Sequence, residues 1–219
     1  MRFADRTQAG RLLAKKLAKY ADRNDVVVLG IPRGGVPVAF QVAKALHAPL
    51  DVFICRKLGV PTQEEIALGA VATGGVRVLN EDIVGLLGIP PERIERIVAE
   101  QQREVERRER TYRGDRPPLQ VRGKTVILVD DGVATGANME AAITALRKLE
   151  PAGIVVAVPV APPSTLKRLQ QMSGEAVCVD TPEEFYAIGQ FYEDFSQTED
   201  EEVCDLLQGA ERPAARQVA

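Results

Sequence analysis

Two adjacent carboxylates, Asp130 and Asp131, follow a short apolar run at 125–129. Carboxylates at the end of a buried strand are costly unless they serve a ligand, a helix cap or a metal ion. The turn from Gly132 to Gly136 contains two glycines and a threonine, and a helical pattern begins at Asn138. Glycine lets backbone N–H groups approach an anion, and a helix N-terminus adds partial positive charge. Carboxylates that can bind hydroxyl groups, next to a turn that can bind a phosphate, suit a phosphorylated sugar as the ligand. The structural alternative is an ordinary strand-to-helix turn in which an aspartate caps the helix.

Two further strand ends carry residues that could contact an anion. A Pro-Arg-Gly-Gly turn at 32–35 follows the apolar run at 26–31, and the cations Arg56 and Lys57 follow the run at 51–55. Taken singly, the first is a common strand–helix connection, and the second is a charge pair of the kind usually found on a surface. Their positions matter because ligands of open parallel sheets bind at the carboxyl ends of the strands.

The elements that must position these residues are short strands alternating with helices. Such alternation predicts a parallel sheet covered on both faces. Two short runs at 68–72 and 76–79 flank Gly74-Gly75 and predict a hairpin, with one antiparallel strand at the edge of the sheet. The expected fold is α/β, a three-layer sandwich with a mainly parallel sheet and one antiparallel edge hairpin. The predicted strands are 26–31, 51–55, 125–129, 154–159 and 176–179, and the predicted helices are 7–21, 36–46, 138–149 and 164–172.

A long charged helix is predicted to begin at Pro90-Pro91 and to end near Tyr112, as an insertion at about 91–113. Acidic and basic residues nearly balance on it, and pairs such as Glu104–Arg108 and Glu106–Arg110 have helical spacing. This pattern favours a solvated helix held by ion pairs over a face that binds nucleic acid.

The bulk composition narrows the function classes. The net charge of −3 gives no overall attraction to nucleic acid or to an anionic membrane. The three cysteines are far apart, and His47 is the one histidine, so a metal site built on paired histidines is excluded. The polar N-terminus does not resemble a signal peptide, and no apolar stretch is long enough to span a membrane. We therefore expect a cytoplasmic protein with buried or incidental thiols.

The segment Val126 to Gly136 resembles the ribose-phosphate signature of type I phosphoribosyltransferases: a hydrophobic strand, an acidic pair, a spacer and Thr-Gly. The resemblance implies binding of 5-phosphoribosyl-1-pyrophosphate. Asp130 and Asp131 would hold the ribose 2′- and 3′-hydroxyls. The 5′-phosphate would be held by the turn that includes Gly132 and runs through Val133, Ala134, Thr135, Gly136, Ala137 and Asn138. Asn138 replaces the usual Thr or Ser, and Gly132 is smaller than the common apolar residue.

The same resemblance implies roles for the other two strand ends. Arg33, Gly34 and Gly35 correspond to a loop whose backbone amides face pyrophosphate. Arg56 and Lys57 would bind the leaving pyrophosphate, and the residues at 58–65 would form a mobile loop that closes over the site. Asp130 and Asp131, with this cation pair, are the expected catalytic residues.

The family also carries a variable hood over the sheet, which here corresponds to residues 181–208, after a core at 1–180 and before a tail at 209–219 that is expected to be disordered. Five of the ten aromatic residues lie within 185–195. These rings could stack on a planar base, form the core of the hood or make a subunit contact, as in a homodimer; core is favoured for most of them. Phe3, Asp5 and Arg6 are candidates to join the hood.

The implied reaction is the transfer of a phosphoribosyl group to a base or amine, with release of pyrophosphate. Mg²⁺ would be held mainly by substrate and water, without a dedicated protein site. Family members that act on 6-oxopurines place an aspartate where Ala134 stands, which argues against a hypoxanthine–guanine enzyme. The acceptor, the pathway and the oligomeric state remain open. The alternative function is a non-catalytic sensor of phosphoribosyl pyrophosphate, since one fold can carry several functions.

Overall fold

A computed structural model describes residues 1–60 and 63–211 of the chain. Short 3-10 helices at Ala18–Tyr20, Thr73–Gly75 and Ile188–Phe191 supplement the main elements. In chain order these are α1 (Arg6–Lys16), β1 (Val26–Gly30), α2 (Gly35–Leu46), β2 (Leu50–Val52), β3 (Cys55–Val60), β4 (Gln63–Ala72), β5 (Val76–Leu79), α3 (Glu81–Leu87), α4 (Pro91–Arg113), β6 (Thr125–Val129), α5 (Ala137–Arg147), β7 (Gly153–Val160), α6 (Pro163–Ser173), β8 (Gly174–Asp180) and α7 (Asp200–Glu211).

The main sheet has five parallel strands in the order β2, β1, β6, β7, β8. The central strands are rich in valine and isoleucine and are buried on both faces, as is typical of parallel sheets. Gly30 at the end of β1 pairs with Val129 at the end of β6. The two strands therefore end level, and the turns that follow them must meet.

Helices cover both faces of the main sheet. One core joins α1, α2, α4 and α7 to the face that carries Val28 and Ile127. A second core joins α5 and α6 to the face that carries Leu29 and Leu128. This arrangement confirms the predicted three-layer α/β sandwich.

The predicted hairpin is present, but it belongs to a separate antiparallel sheet of three strands in the order β3, β4, β5, and not to the edge of the main sheet. The predicted strand at 51–55 is correct only in part, because the chain changes sheets inside it: β2 ends at Val52 and β3 begins at Cys55. Phe53 donates its N–H to Gly30 (3.0 Å), whereas the Ile54 N–H bonds to the hydroxyl of Thr73 (2.9 Å). Both side chains are buried, so the apolar run gives no sign of the crossing.

The long charged helix is confirmed as α4. Arg108 pairs with Glu104 at 2.7 Å, as predicted. Arg110 instead donates to the main-chain oxygen of Glu106 (3.3 Å), so the second ion pair is replaced by a side chain–backbone bond. Within residues 1–60 and 63–211, no helix is long and apolar enough to cross a membrane.

The C-terminal part of the chain divides in two. Residues 181–199, the first part of the predicted hood, pack with the N-terminal segment, where Phe3 and Tyr192 form an isolated β-bridge. From Asp200 the chain forms α7, which packs against α2 and α4. The helix continues to Glu211, into the predicted tail; the rest of that tail lies outside the described residues. Neither α3 nor α7 is among the helices predicted from the sequence.

Candidate functional site

The acidic pair lies directly against the glycine turn that follows β1. A Cβ atom added at Gly34 would stand 2.1 Å from Oδ2 of Asp131, and one at Gly35 would stand 2.7 Å from the carbonyl oxygen of Val129. Only glycine leaves room for so close an approach. The Pro32–Arg33 peptide bond, which opens this turn, is cis. The structure therefore brings the two turns together at one edge of the main sheet.

Asp131 is held by residues from both ends of the chain. The Arg6 guanidinium reaches Oδ2 of Asp131 through Nε (2.9 Å) and Nη2 (2.8 Å). The buried hydroxyl of Tyr192 donates to the main-chain oxygen of Asp131 at 2.6 Å. Sequence reasoning named Arg6 as a candidate for the hood but did not connect it to the acidic pair, because nothing in the local pattern links positions so far apart.

The two carboxyl groups differ in their surroundings. Burial raises the pKa of Asp130 well above its usual range, and the neighbouring charge of Asp131 raises it further. Burial also raises the pKa of Asp131, although the Arg6 guanidinium opposes this rise. Oδ1 of Asp130 accepts the N–H of Asp131 at 2.9 Å. Hydroxyl donors or a divalent cation beside the pair would favour its ionised form.

The turn after the acidic pair forms an open helix N-terminus. Gly136 has a φ of 89° and precedes α5, and within the described part of the chain no side chain caps this helix. The first N–H groups of a helix lack intrahelical partners and attract anions. The side chains of Thr135, Ala137 and Asn138 are exposed beside these groups. The arrangement can hold a phosphate.

Two side chains of helix α6 donate hydrogen bonds to carbonyl oxygens of this turn. The Thr165 hydroxyl donates to the main-chain oxygen of Ala134 at 2.8 Å, and Arg168 donates to the main-chain oxygen of Thr135 and to the carboxylate of Glu140. These bonds occupy carbonyl oxygens of the turn, and the Val133 N–H of the same turn donates to the main-chain oxygen of Val160 at 2.9 Å. No local sequence pattern indicates either contact.

Gly132, which departs from the family pattern, is explained by the hood. A Cβ atom at this position would stand 2.6 Å from Cγ2 of Ile188. The Ile188 side chain therefore fills the space that a larger residue at position 132 would need.

Arg33 directs its side chain toward the start of α7. Its Nη1 lies 3.6 Å from Glu199 and 3.7 Å from Asp200, and Asp200 also accepts the hydroxyl of Tyr112 at 2.6 Å. Burial raises the pKa of Tyr112 to about 12. The Arg33 side chain thus forms ion pairs with acidic residues, while the Arg33 backbone lies in the glycine turn.

Arg56 and Lys57 lie on β3 and not in a loop after β2. Strand alternation places their side chains on opposite faces of the small sheet. Arg56 faces α4, where its Nε donates to the side chain of Gln101 at 2.9 Å. Lys57 lies on the face that carries Cys55, which packs with the core formed by α5. The structure separates these two cations and directs Arg56 to another helix.

The predicted mobile loop at 58–65 coincides largely with regular structure. Residues up to Val60 belong to β3, and β4 begins at Gln63; residues 61–62 lie outside the described part of the chain. The predicted mobility stays a prediction.

Most rings of the aromatic cluster form the core of the hood. Tyr192 lies 5.3 Å from Phe3 and 5.0 Å from Phe195, measured between ring centroids. Phe185 and Phe191 are 4.9 Å apart. Tyr186, in contrast, is 86% exposed and is available for other contacts.

A dedicated metal site is not found in the described part of the chain, since no group of three or more metal-ligating side chains lies together there. The acidic pair nevertheless supplies the carboxylate oxygens that Mg²⁺ prefers. Asp130 and Asp131 fit a magnesium ion that takes its remaining ligands from substrate and water.

Comparison with known proteins assigns the class. Residues 4–195 match the model of the phosphoribosyl transferase domain. The chain belongs to this family.

Among its relatives is a protein of Mycobacterium tuberculosis, provisionally named a phosphoribosyl transferase. It is 45% identical over 213 residues, which are 97% of this chain and 48% of the relative. The chain thus spans about half the length of the curated relatives that it matches. The crystal structure of TT1426 from Thermus thermophilus is 44% identical, with a TM-score of 0.86, covering 95% of this chain and 99% of that one.

Proposed function

We propose that this protein binds 5-phosphoribosyl-1-pyrophosphate and transfers its phosphoribosyl group to a nitrogenous acceptor, releasing pyrophosphate. The observation that carries the proposal is the contact between Gly34 and Asp131, where an added Cβ would stand 2.1 Å from the carboxylate. It joins a turn suited to pyrophosphate with a carboxylate suited to ribose hydroxyls. The open N-terminus of α5 supports a third subsite, for the 5′-phosphate.

Each subsite has a defined part in the reaction. Asp130 and Asp131 hold the ribose hydroxyls, and the turn at Gly34 holds pyrophosphate through N–H groups other than that of Gly35, which already donates to the main-chain oxygen of Ile31 at 3.0 Å. The bond between C1 and the pyrophosphate oxygen breaks, its electron pair leaves with pyrophosphate, and the acceptor nitrogen bonds to C1 and releases its proton to water. The protein contributes orientation and stabilisation of the leaving charge.

Mg²⁺ bound beside the acidic pair would offset negative charge on the substrate. Asp130 and Asp131 would hold the ion together with substrate oxygens and water. The raised pKa of both groups supports this part of the proposal, because a nearby cation offsets the cost of ionising two adjacent, desolvated carboxyls.

A sensor function is the second candidate, and the placement of Arg56 favours it. An enzyme is expected to place both cations, Arg56 and Lys57, at the leaving pyrophosphate, whereas a sensor has no leaving group to stabilise. Arg56 instead bonds to Gln101 at 2.9 Å on α4. The distinction between an enzyme and a sensor then depends on Lys57, which lies on the other face of β3.

The test combines ligand binding with turnover. Phosphoribosyl pyrophosphate with Mg²⁺ should raise the melting temperature, because the ligand binds only the native state. Pyrophosphate release is then measured across purines, pyrimidines and small amines. Asp130→Asn with Asp131→Asn should abolish the melting shift, while Asp115→Asn, an exposed change outside the site, should retain it.

Lys57→Ala separates the enzyme from the sensor. An enzyme should lose more in kcat than in ligand affinity, since the cation acts on charge that grows in the transition state. A melting shift without pyrophosphate release for any acceptor would support the sensor. Absence of both the shift and the turnover at millimolar ligand would refute the binding proposal itself.

A further inference from the structure

A cavity of about 830 Å³ lies at the amino ends of the parallel strands, whereas the acidic pair lies at their carboxyl ends. Val27, Leu50 and Lys124 line it, and each stands at or beside the first residue of a parallel strand. The acidic pair and the glycine turn lie at the carboxyl ends of the same strands. The cavity is therefore distinct from the site proposed for the phosphoribosyl substrate.

The walls of the cavity are largely apolar. Ring and aliphatic side chains contribute most of the surface, among them Phe40, Pro117, Pro118 and Leu119. Pockets of about 300–1,000 Å³ with apolar walls and a few polar groups are typical of sites for small molecules. The volume exceeds what a single inorganic ion would fill.

The charges around the cavity are mainly positive, although the whole chain has a net charge of −3. Lys44, Lys124, Arg113 and Arg116 line it, whereas Asp51 is the one acidic residue among the described residues of this lining. A low-dielectric wall strengthens the field of these cations in the cavity. The cavity therefore favours an anionic occupant.

The two arginines are fixed in place. Arg113 holds Asp51 through Nε and Nη2, both at 3.0 Å, and Arg116 donates to the main-chain oxygens of Leu50 (3.2 Å) and Leu207 (2.6 Å). Their side chains are only 9% and 15% exposed. Nη1 of Arg116 also lies 3.8 Å from Asp51, so this carboxylate offsets part of the positive charge of the two arginines. A wall that is already held in place costs little entropy to organise when a ligand binds.

We propose that this cavity binds a small molecule of nucleotide size in which an apolar ring carries an anionic group. The ring would pack between Phe40 and the segment at 117–119, and the anion would face Lys44 and Lys124. A nucleotide phosphate and an aromatic carboxylate share this chemistry. The proposal is independent of the reaction at the acidic pair.

Two variants of the full chain alter the cavity without touching the acidic pair. Lys44→Glu with Lys124→Glu reverses two charges of the lining. Gly209→Trp places a bulky ring at the wall; a Cβ atom there meets Phe40 at an ordinary 3.7 Å, so the exposed helix position tolerates it. Lys15→Glu with Lys148→Glu is the matched charge control, since both lysines are exposed and absent from the lining.

Gly85→Trp is the matched control for bulk, because a Cβ atom there meets nothing within 4 Å. Calorimetric titrations use AMP, UMP, 1-naphthoate and inorganic phosphate as probes. We expect a ring-bearing probe to bind the parent with a Kd below about 1 mM, and phosphate alone to bind at least about tenfold more weakly. Preference for a nucleotide or for naphthoate identifies the source of the anion.

Both cavity variants should weaken that binding by about tenfold or more, and both controls should retain it. Circular dichroism verifies folding, and the Gly209→Trp variant alone decides the outcome if the charge reversal unfolds the protein. Equal binding to parent and cavity variants would place the probe elsewhere and overturn the proposal. So would the failure of every ring-bearing probe to bind the parent.

Discussion

Arg6 holds Asp131 through two guanidinium nitrogens, at 2.9 Å and 2.8 Å from the same carboxylate oxygen. The same guanidinium donates to the main-chain oxygen of Ser196 at 2.6 Å and lies 4.1 Å from the centre of the Phe195 ring. One side chain from the first helix therefore joins the acidic pair to the hood. The position of Asp131 in the candidate site depends on this contact.

Replacing Arg6 by alanine should lower the free energy of unfolding by about 3 kcal/mol, because Asp131 would lose its cation while staying buried. Denaturant unfolding followed by circular dichroism measures the change. Arg11→Ala, which removes an exposed arginine of the same helix, should change stability by less than about 0.5 kcal/mol. Equal stabilities for the two variants would contradict the importance of the Arg6–Asp131 pair.

Asp130→Asn should stabilise the ligand-free protein at neutral pH. The raised pKa of Asp130 means that the folded protein keeps a proton which the unfolded chain has already released. This contribution to stability is fully present below the usual aspartate pKa and is lost as the pH rises through the raised value.

Melting temperatures of parent and Asp130→Asn between pH 4 and pH 8 provide the measurement. The difference between variant and parent should grow as the pH rises. Asp115→Asn, at an exposed position, is the matched control and should track the parent. A difference that shrinks with rising pH would mean that Asp130 is stabilised as the ionised form.

Tyr192→Phe should lower the free energy of unfolding by about 1–2 kcal/mol, because the buried hydroxyl donates to the Asp131 carbonyl at 2.6 Å. It should also weaken binding of phosphoribosyl pyrophosphate, since the bond fixes the backbone of the acidic pair. Thermal melting and titration measure the two effects. Tyr186→Phe removes a hydroxyl from a ring that is 86% exposed and should leave both quantities unchanged.

Gly34→Ala should weaken binding of phosphoribosyl pyrophosphate by about tenfold or more, because the added methyl must displace the Asp131 carboxylate or the turn itself. The matched control is Gly85→Ala, where a Cβ atom meets nothing within 4 Å. Titration with the ligand and Mg²⁺ compares the two. Unchanged affinity in a folded Gly34→Ala variant would show that the turn and the carboxylate do not act together in binding.

Local sequence patterns were sufficient to predict the parallel sheet and the turns of the candidate site. Strand β6 was predicted at Thr125–Val129 and is found there, and β1 differs by one residue at its end. Runs of buried β-branched residues bounded by Asp-Asp-Gly or Pro-Arg-Gly-Gly leave few other local structures. Because parallel strands place their carboxyl ends at one edge, the meeting of these two turns followed from the same pattern.

The side chains that surround those turns could be assigned only from the folded chain. The pairing of Arg6 with Asp131, the direction of Arg56 toward α4 and the packing of Ile188 over Gly132 join residues that are distant in the sequence. Local periodicity indicates whether a residue is buried, but it does not indicate which distant element packs against that residue. The choice of partner depends on how whole helices and sheets fit together, and that fit is a property of the close-packed tertiary structure.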